Sequence, residues 1–524
     1  MAATLAAAAC SEPVRDAPYP AVEPERIRTH VERLRAAETV SPEAGEAGEA
    51  AAVDYLTDVF TEIGLNVQHQ PVPLTRIVPT RTTLVVTGPD GDTTLEAGTD
   101  YLAWSHRHEP STVAEGELVF VGYGISAPGL EWDDYRDIDV TGRIVLILTG
   151  DPMTGRRRVL GTLGEHYYGR RVYKFEEAAR QGAAGALLID LDETAVTDWR
   201  LAARSTTELL DVGEHDEQTT HTSAEGWLSP ETARGLFPDE PPPGGPEAAA
   251  TPMQRMRSRR VDGRNQAASG FDELVRRAQQ PNFVPVVLPI RARIEVDSEV
   301  STATSTNLVA TLPGTADDAS YVLLSSQWND LPAGGPIGGH LTDDERSEHP
   351  PGAAILLEAA RALVAEAPPL RTIVFLVVTA ESEGLVGLDA YLRQPLYPTD
   401  RTDAALHVAG FSIHPGESQV SIIGDGPARL KDMVRAAAAE QFRVTSADTD
   451  PERLFFYPAS DTSFTQRGIP SIFIISRPFD EGIAGLNPEA APDLTTAVLD
   501  TQLLFQVARD MATAEYWPEW NPGR

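Results

Sequence analysis

Residues 352–380, GAAILLEAARALVAEAPPLRTIVFLVVTA, decide the fold. Residues 352–367 repeat apolar side chains at helical spacing, and 371–379 form an apolar, β-branched run of strand length. The same alternation continues on either side. TNLVATLPG (306–314), SYVLLSS (320–326) and SIFIIS (471–476) read as strands. PARLKDMVRAAAAEQF (427–442) and TTAVLDTQLLFQVARDMA (495–512) read as helices. Strand alternating with helix implies an α/β sheet covered on both faces. In such sheets functional groups gather in the loops beyond the carboxyl ends of the strands.

Toward the N-terminus, PERIRTHVERLRA (24–36) sets Ile27, Val31 and Leu34 on one helical face behind an initiating proline. AAAVDYLTDVFTEIGLNV, from Ala50, does the same with Val53, Leu56 and Phe60, and Gly64 fits a C-terminal cap. Strands such as Thr82–Thr87 follow. Between Glu115 and Ile189 the texture changes. GELVFVGYGI and DVTGRIVLIL are β-rich, and KFEEAARQGAAGALLID is an amphipathic helix running into a buried strand. VGYGIS contains a Gly-x-Gly but lacks the strand, glycine trio and helix of a phosphate loop, and fits a strand turn. Beyond it, Asp192–Arg277 is polar and rich in Pro and Gly, with DEPPPGGPEAAATP at its centre, and reads as a loose connection with a short helix or two.

A chain of 524 residues with 41% hydrophobic content is globular and long enough for more than one core. The net charge of -35 repels a phosphate backbone or an anionic lipid surface, so nucleic acid is not expected as a partner. Acidic runs near Glu43 and Asp211 read as solvated faces. The single cysteine, Cys10, excludes an internal disulfide and thiolate zinc sites. MAATLAAAAC ends an apolar segment with small residues before a cysteine and passes at once into polar SEPVRDAPYP. That arrangement resembles a bacterial lipoprotein processing site, with Cys10 lipidated and the protein carried on the cell envelope, on the periplasmic or extracellular side; a disordered Ala-rich terminus is the other reading. The body has no stretch long and apolar enough to span a bilayer.

Four loops carry the candidate chemistry: SSQWNDL (325–331), SEHPPGAA (347–354), TAESEG (379–384) and YPASDTSF (457–464), the last ahead of RGIPSIFII. In order and wording they resemble the family-28 metallopeptidases, the dizinc aminopeptidase and glutamate carboxypeptidase II group. VFVGYGISAPGLEWDDYRDIDVTGRIVLIL, followed by GAAGALL, is similar to the protease-associated domain that interrupts many members. The resemblance implies an α/β fold: a zinc-exopeptidase-like mixed sheet flanked by helices, with an inserted β-rich protease-associated domain. It divides the chain into an export segment (1–20), a peptidase-like domain (21–105 and 296–520), the insertion (106–191) and the loose acidic connection (192–295).

Carried over residue by residue, the resemblance implies a degenerate metal site. Where family members place a histidine, one residue and an aspartate, this chain has Gln327, Trp328 and Asn329, so the first imidazole and its orienting carboxylate are absent. Glu348 matches the bridging aspartate. Glu381 matches the general base, and Ser382 stands where a second glutamate would ligate zinc. Ala409 falls at the next metal-binding aspartate, and Asp461 at the second histidine. A catalytic zinc usually keeps three protein ligands, and neither position does so here. No zinc is therefore expected, although the family uses two. Three carboxylates, Glu348, Glu381 and Asp461, leave room for a single hard cation such as Mg²⁺ or Ca²⁺. His340 and His349 lie beside these loops as alternative ligands or as surface groups. Ser382 has no histidine placed to make it a nucleophile. Two functional readings stand: a non-catalytic homologue that binds a peptide or protein, and an active metallo-aminopeptidase with a rearranged site.

Overall fold

The structure is a computed structural model. It describes residues 21–40, 47–89, 91–154, 157–160, 168–191, 209–212, 221–237, 270–316, 320–328, 352–380, 385–410, 418–423, 426–447, 464, 467–478 and 494–514. In chain order the elements begin with α1 (Pro24–Val40), α2 (Ala47–Glu62), β1 (Asn66–Gly88), β2 (Gly91–Leu95), β3 (Tyr101–Trp104) and β4 (Ser111–Phe120). Next come β5 (Ser126–Ala127), β6 (Trp132–Asp133), β7 (Ile144–Leu148), β8 (Met153–Thr154), β9 (Arg157–Arg158) and α3 (Arg171–Arg180). They are followed by β10 (Gly185–Ile189), β11 (Leu209–Val212), β12 (Ala224–Leu228), α4 (Pro230–Leu236), α5 (Gly270–Ala278) and β13 (Val286–Leu312). The last third holds β14 (Tyr321–Gln327), α6 (Ala353–Val364), β15 (Thr372–Val378), α7 (Val386–Arg393), β16 (Thr402–Gly410), β17 (Ser418–Ile423), α8 (Ala428–Glu440), β18 (Thr445–Ala447), β19 (Ser471–Pro478) and α9 (Thr495–Thr513).

β15 shows why these residues form a doubly covered sheet. Its run TIVFLVV is buried almost throughout. Ile373, Phe375 and Val377 join one core with α1, α2, α6 and α9, while Val374, Leu376 and Val378 join another with Leu388, Tyr391 and Leu392 of α7. Alternate side chains thus enter opposite layers, as the pleat requires. The anticipated helical faces also go inside: Ile27, Val31, Leu34, Val53, Leu56 and Phe60 are all buried. Gly64 closes α2 at a φ of +89°, where a side chain would be strained.

A single path of hydrogen-bonded strands runs β18-β17-β19-β16-β14-β15-β13-β4-β7-β10-β12-β3. β14 lies parallel to β15 and β16, and β16 parallel to β19, whereas β13 is antiparallel to both β15 and β4. The sheet is mixed and flanked by helices, as expected. β13 belongs to both of its halves. Leu308–Leu312 pair with β15, and Val286–Asp297 pair with β4. β1 follows β13 antiparallel from Asn66–Thr311 to Thr87–Arg291.

The core of the second half of the sheet draws on residues beyond 106–191. Tyr101 and Ala103 of β3, Ala224 and Leu228 of β12, Phe271 and Leu274 of α5, and Val286 and Ile294 of β13 share its main core with Phe120 and Leu146. Residues 221–237 and 270–295, placed in the loose connection, therefore contribute strand and helix here, and position 296 lies inside β13. Long polar stretches dilute the composition around these short elements. Burial against that half of the sheet is what orders them. Gly122 and Gly124, both at positive φ, form the turn expected of VGYGIS. No helix among the described residues is long and apolar enough to cross a membrane. Cys10 and the export segment lie outside the described residues.

Candidate functional site

β14, β15 and β16 lie side by side and in parallel, so their carboxyl ends share one edge. Gln327 ends β14, opposite Val378 at the end of β15, and Ser326 pairs with Val408. Ala409 lies on β16 at an irregularity, because the pairing with β19 shifts between Val408 and Gly410. β15 stops three residues before Glu381. The backbone thus brings Gln327, Ala409 and the entry to the Glu381 loop to one edge. Asn329, Glu348, Glu381, Ser382 and Asp461, with His340 and His349, lie outside the described residues.

Of the expected site residues, Gln327 has a described side chain. It is 1% exposed, and neither Nε2 nor Oε1 of its amide has a hydrogen-bond partner among the described residues. The indole Nε1 of the buried Trp328 is likewise without one. Below them the strand interior is polar and paired. Ser326 Oγ donates to Val408 O at 2.7 Å, and Ser325 Oγ lies 3.0 Å from His407 Nδ1. Gly352, at the entry to α6, leaves no room for a side chain, since a Cβ there would meet Val408 O and Ser326 Oγ. The helix start is pressed onto the strand ends.

A second polar network fixes the loop that leads to Glu381. Asn307 accepts from Thr379 N at 3.1 Å and donates through Nδ2 to Gln70 Oε1 (3.1 Å) and Gly387 O (2.6 Å). Ser305 Oγ bonds both Glu49 and Thr379 Oγ1, and Glu49 also accepts from Thr306 N at 2.8 Å. Gln70 continues the chain to Gln394 O at 2.7 Å. Asn307 and Ser305 are fully or almost fully buried, so each lost bond would leave an unsatisfied group. Both ends of the Glu381 loop, Thr379 and Gly387, hang on one asparagine.

A third group lies at the β12–β3 end of the sheet and was not anticipated. His106 follows β3, His221 precedes β12, and Glu225 sits in β12 opposite Trp104. His221 Nδ1 is 3.0 Å from Glu225 Oε1, and His106 Nε2 is 3.6 Å from Oε2. The two imidazoles stack, with centroids 4.4 Å apart and planes at 23°. Burial pushes the Glu225 carboxyl up, but the neighbouring imidazoles of His221 and His106 outweigh it and hold the group below its ordinary value. The available signal was an acid inside AEGWL, otherwise a buried strand pattern, which requires a partner. Polar surroundings concealed that strand, and the partner His106 is more than a hundred residues away in sequence.

Residues 307–489 match the description Peptidase family M28. No curated protein matches the chain. Among solved structures, an aminopeptidase from Aneurinibacillus sp. strain AM-1 is similar at 18% identity and a TM-score of 0.51, over 95% of this chain and 96% of that one. A zinc aminopeptidase from Bacillus subtilis aligns at 15% identity and a TM-score of 0.45, over 96% and 97%. A peptidase M28 precursor from Shewanella amazonensis SB2B aligns at 15% and 0.44, over 96% and 97%. The Aneurinibacillus likeness extends over nearly both chains and establishes the fold.

Proposed function

We propose, from the match of residues 307–489 to peptidase family M28, that this chain is an exported, aminopeptidase-like homologue of that family. In this reading its dizinc site is dismantled and it binds peptide or protein without cleaving it. The observation that carries the reading is Gln327: a buried amide stands at the end of β14, where the family pattern asks for an imidazole. Ala409, on the adjacent β16, supplies a methyl where a carboxylate is asked for.

These residue types do not suit a pair of zinc ions. A metal in hydrolysis brings a bound water near neutrality, and that needs anionic or imidazole donors around it. Gln327 offers instead an amide NH₂ that donates and a carbonyl that accepts, the groups that pair with a peptide unit. That amide has no partner among the described residues, and an unpaired buried amide costs about 1–3 kcal/mol.

The test is direct. Purified protein is assayed for bound zinc and for hydrolysis of aminoacyl and dipeptide substrates, with and without added Zn²⁺. The expected result is no cleavage under either condition. Chelator-sensitive hydrolysis, with two zinc ions per chain, would overturn the reading in favour of an active aminopeptidase with a rearranged site. Export through Cys10 is checked separately, by the mass of the mature N-terminus.

A further inference from the structure

His106, His221 and Glu225 come from separate stretches of chain and meet at the far border of the sheet. β3 is the last strand of the sheet path and β12 its neighbour. The three ligand atoms lie within 4.8 Å of one another. In a tetrahedral site with bonds of about 2.0–2.1 Å, neighbouring ligand atoms stand about 3.3 Å apart. His221 Nδ1 lies 3.0 Å from Oε1 of Glu225 and His106 Nε2 3.6 Å from Oε2, one imidazole against each carboxylate oxygen and both near that spacing.

Burial is graded as a coordination site requires. The Glu225 side chain is 1% exposed, His106 12% and His221 26%, so the carboxylate forms the floor and the imidazoles the mouth. The buried Glu225 carboxylate between two stacked imidazoles needs one compensating positive charge. One imidazolium would supply it, with the other ring, 4.4 Å away, neutral. A metal ion would supply it with both rings neutral, the form in which histidine ligates.

We propose that His106, His221 and Glu225 form a binding site for one divalent transition metal ion of the zinc class, at the β12–β3 end of the sheet and apart from the edge that holds Gln327. Two imidazoles and a carboxylate favour zinc, cobalt, nickel or copper over the oxygen-seeking magnesium and calcium. The ion would join the segment after β3 to the segment before β12, clasping the terminal strand of the sheet. The partly exposed mouth leaves a fourth position for water.

Full-length protein stripped with chelator is titrated with Co²⁺ and then Zn²⁺. One equivalent of Co²⁺ should produce the visible bands of a tetrahedral ion, and Zn²⁺ should displace them. H106A and H221A should each weaken binding by about a hundredfold or more, with the far-ultraviolet dichroism unchanged. In the unmutated protein, Zn²⁺ should shield His106 and His221 from diethyl pyrocarbonate, read residue by residue by mass spectrometry, so that the answer does not depend on variants that fold. Absence of Co²⁺ bands overturns the proposal, and so does binding unaltered in both variants without shielding of either histidine. Zinc that persists in the two variants alongside a lost equivalent supports the proposal and counts instead against the dismantled dizinc site.

Discussion

At the scale of single residues, buried polar groups divide into those paired within the fold and those, Gln327 among them, without a hydrogen-bond partner among the described residues. Replacing a buried amide that has no partner among the described residues by an apolar side chain of similar size removes a desolvation penalty, so Q327L should raise the free energy of unfolding by about 1–3 kcal/mol, measured by urea denaturation. An unchanged or lower stability would show that the amide is satisfied in the fold. Glu358 is the first kind. It accepts from Arg26 Nε at 2.8 Å and Arg361 Nε at 3.0 Å, and lies 3.2 Å from His30 Nε2, which ties α1 to α6. Burial pushes its carboxyl up, but the bonds from His30, Arg26 and Arg361 outweigh this and bring it down to about 2 from 4.5. A carboxyl depressed on folding contributes fully above its unfolded value and loses its contribution as pH falls toward the folded one. E358Q should therefore cost on the order of 2 kcal/mol at pH 7. That difference from wild type should shrink between about pH 5 and pH 2, followed by denaturation at each pH. Asp134 runs the other way. Burial raises it to about 7 despite bonds from Ile125 N and the Trp132 indole, so its carboxylate is a burden that grows as pH rises from about 4 toward 7.

At the scale of elements, the strand ends are set by contacts that admit little change. G352A would drive a methyl into Val408 O and Ser326 Oγ at the start of α6, and a destabilisation of about 2–4 kcal/mol is expected by thermal or chemical unfolding. N307A should free the loop between Thr379 and Gly387. Faster amide exchange in 379–387 than in β14 would register this, and uniform exchange across the two would refute the anchoring role. The same elements show what was legible. β15, α6 and α9 could be read because burial on both faces writes itself as an unbroken apolar run or a strong helical repeat. The full length of β1 could not. Pro71, Pro73 and Pro79 interrupt its pattern, and their missing N–H groups are tolerated because β13, with a register shift near Pro79, holds the strand through its other residues. The strand that leads to Gln327 was legible from the apolar pattern of SYVLLSS, whereas the assignment of Gln327 and Ala409 to a site came from the resemblance. The His106–Glu225 pairing was not legible, because it depends on β3 meeting β12, a contact of tertiary origin.

At the scale of the whole molecule, a charge of -35 acts on everything at once. Self-repulsion of that size opposes the compact state, and salt shortens its range from about 10 Å at 0.1 M to about 3 Å at 1 M. Raising NaCl over that range should lift the melting temperature by a few degrees; a fall would mean that attractive ion pairs such as Arg371–Asp403 and Arg443–Asp500 outweigh the repulsion. β13 sets the other molecular property. Its last partner in β4 is met at Asp297 and its first in β15 at Leu308, and between these two residues its ladder runs only with β1. Side chains alternate along a strand, so the two halves of the sheet are phased to each other by the parity of that interval. Deleting one residue from 299–306 would turn inward every outward group on one side of the cut, whereas deleting two would keep the phase. The chain can be shortened there only in even steps, and an alignment of natural variants should show gaps of two but not of one.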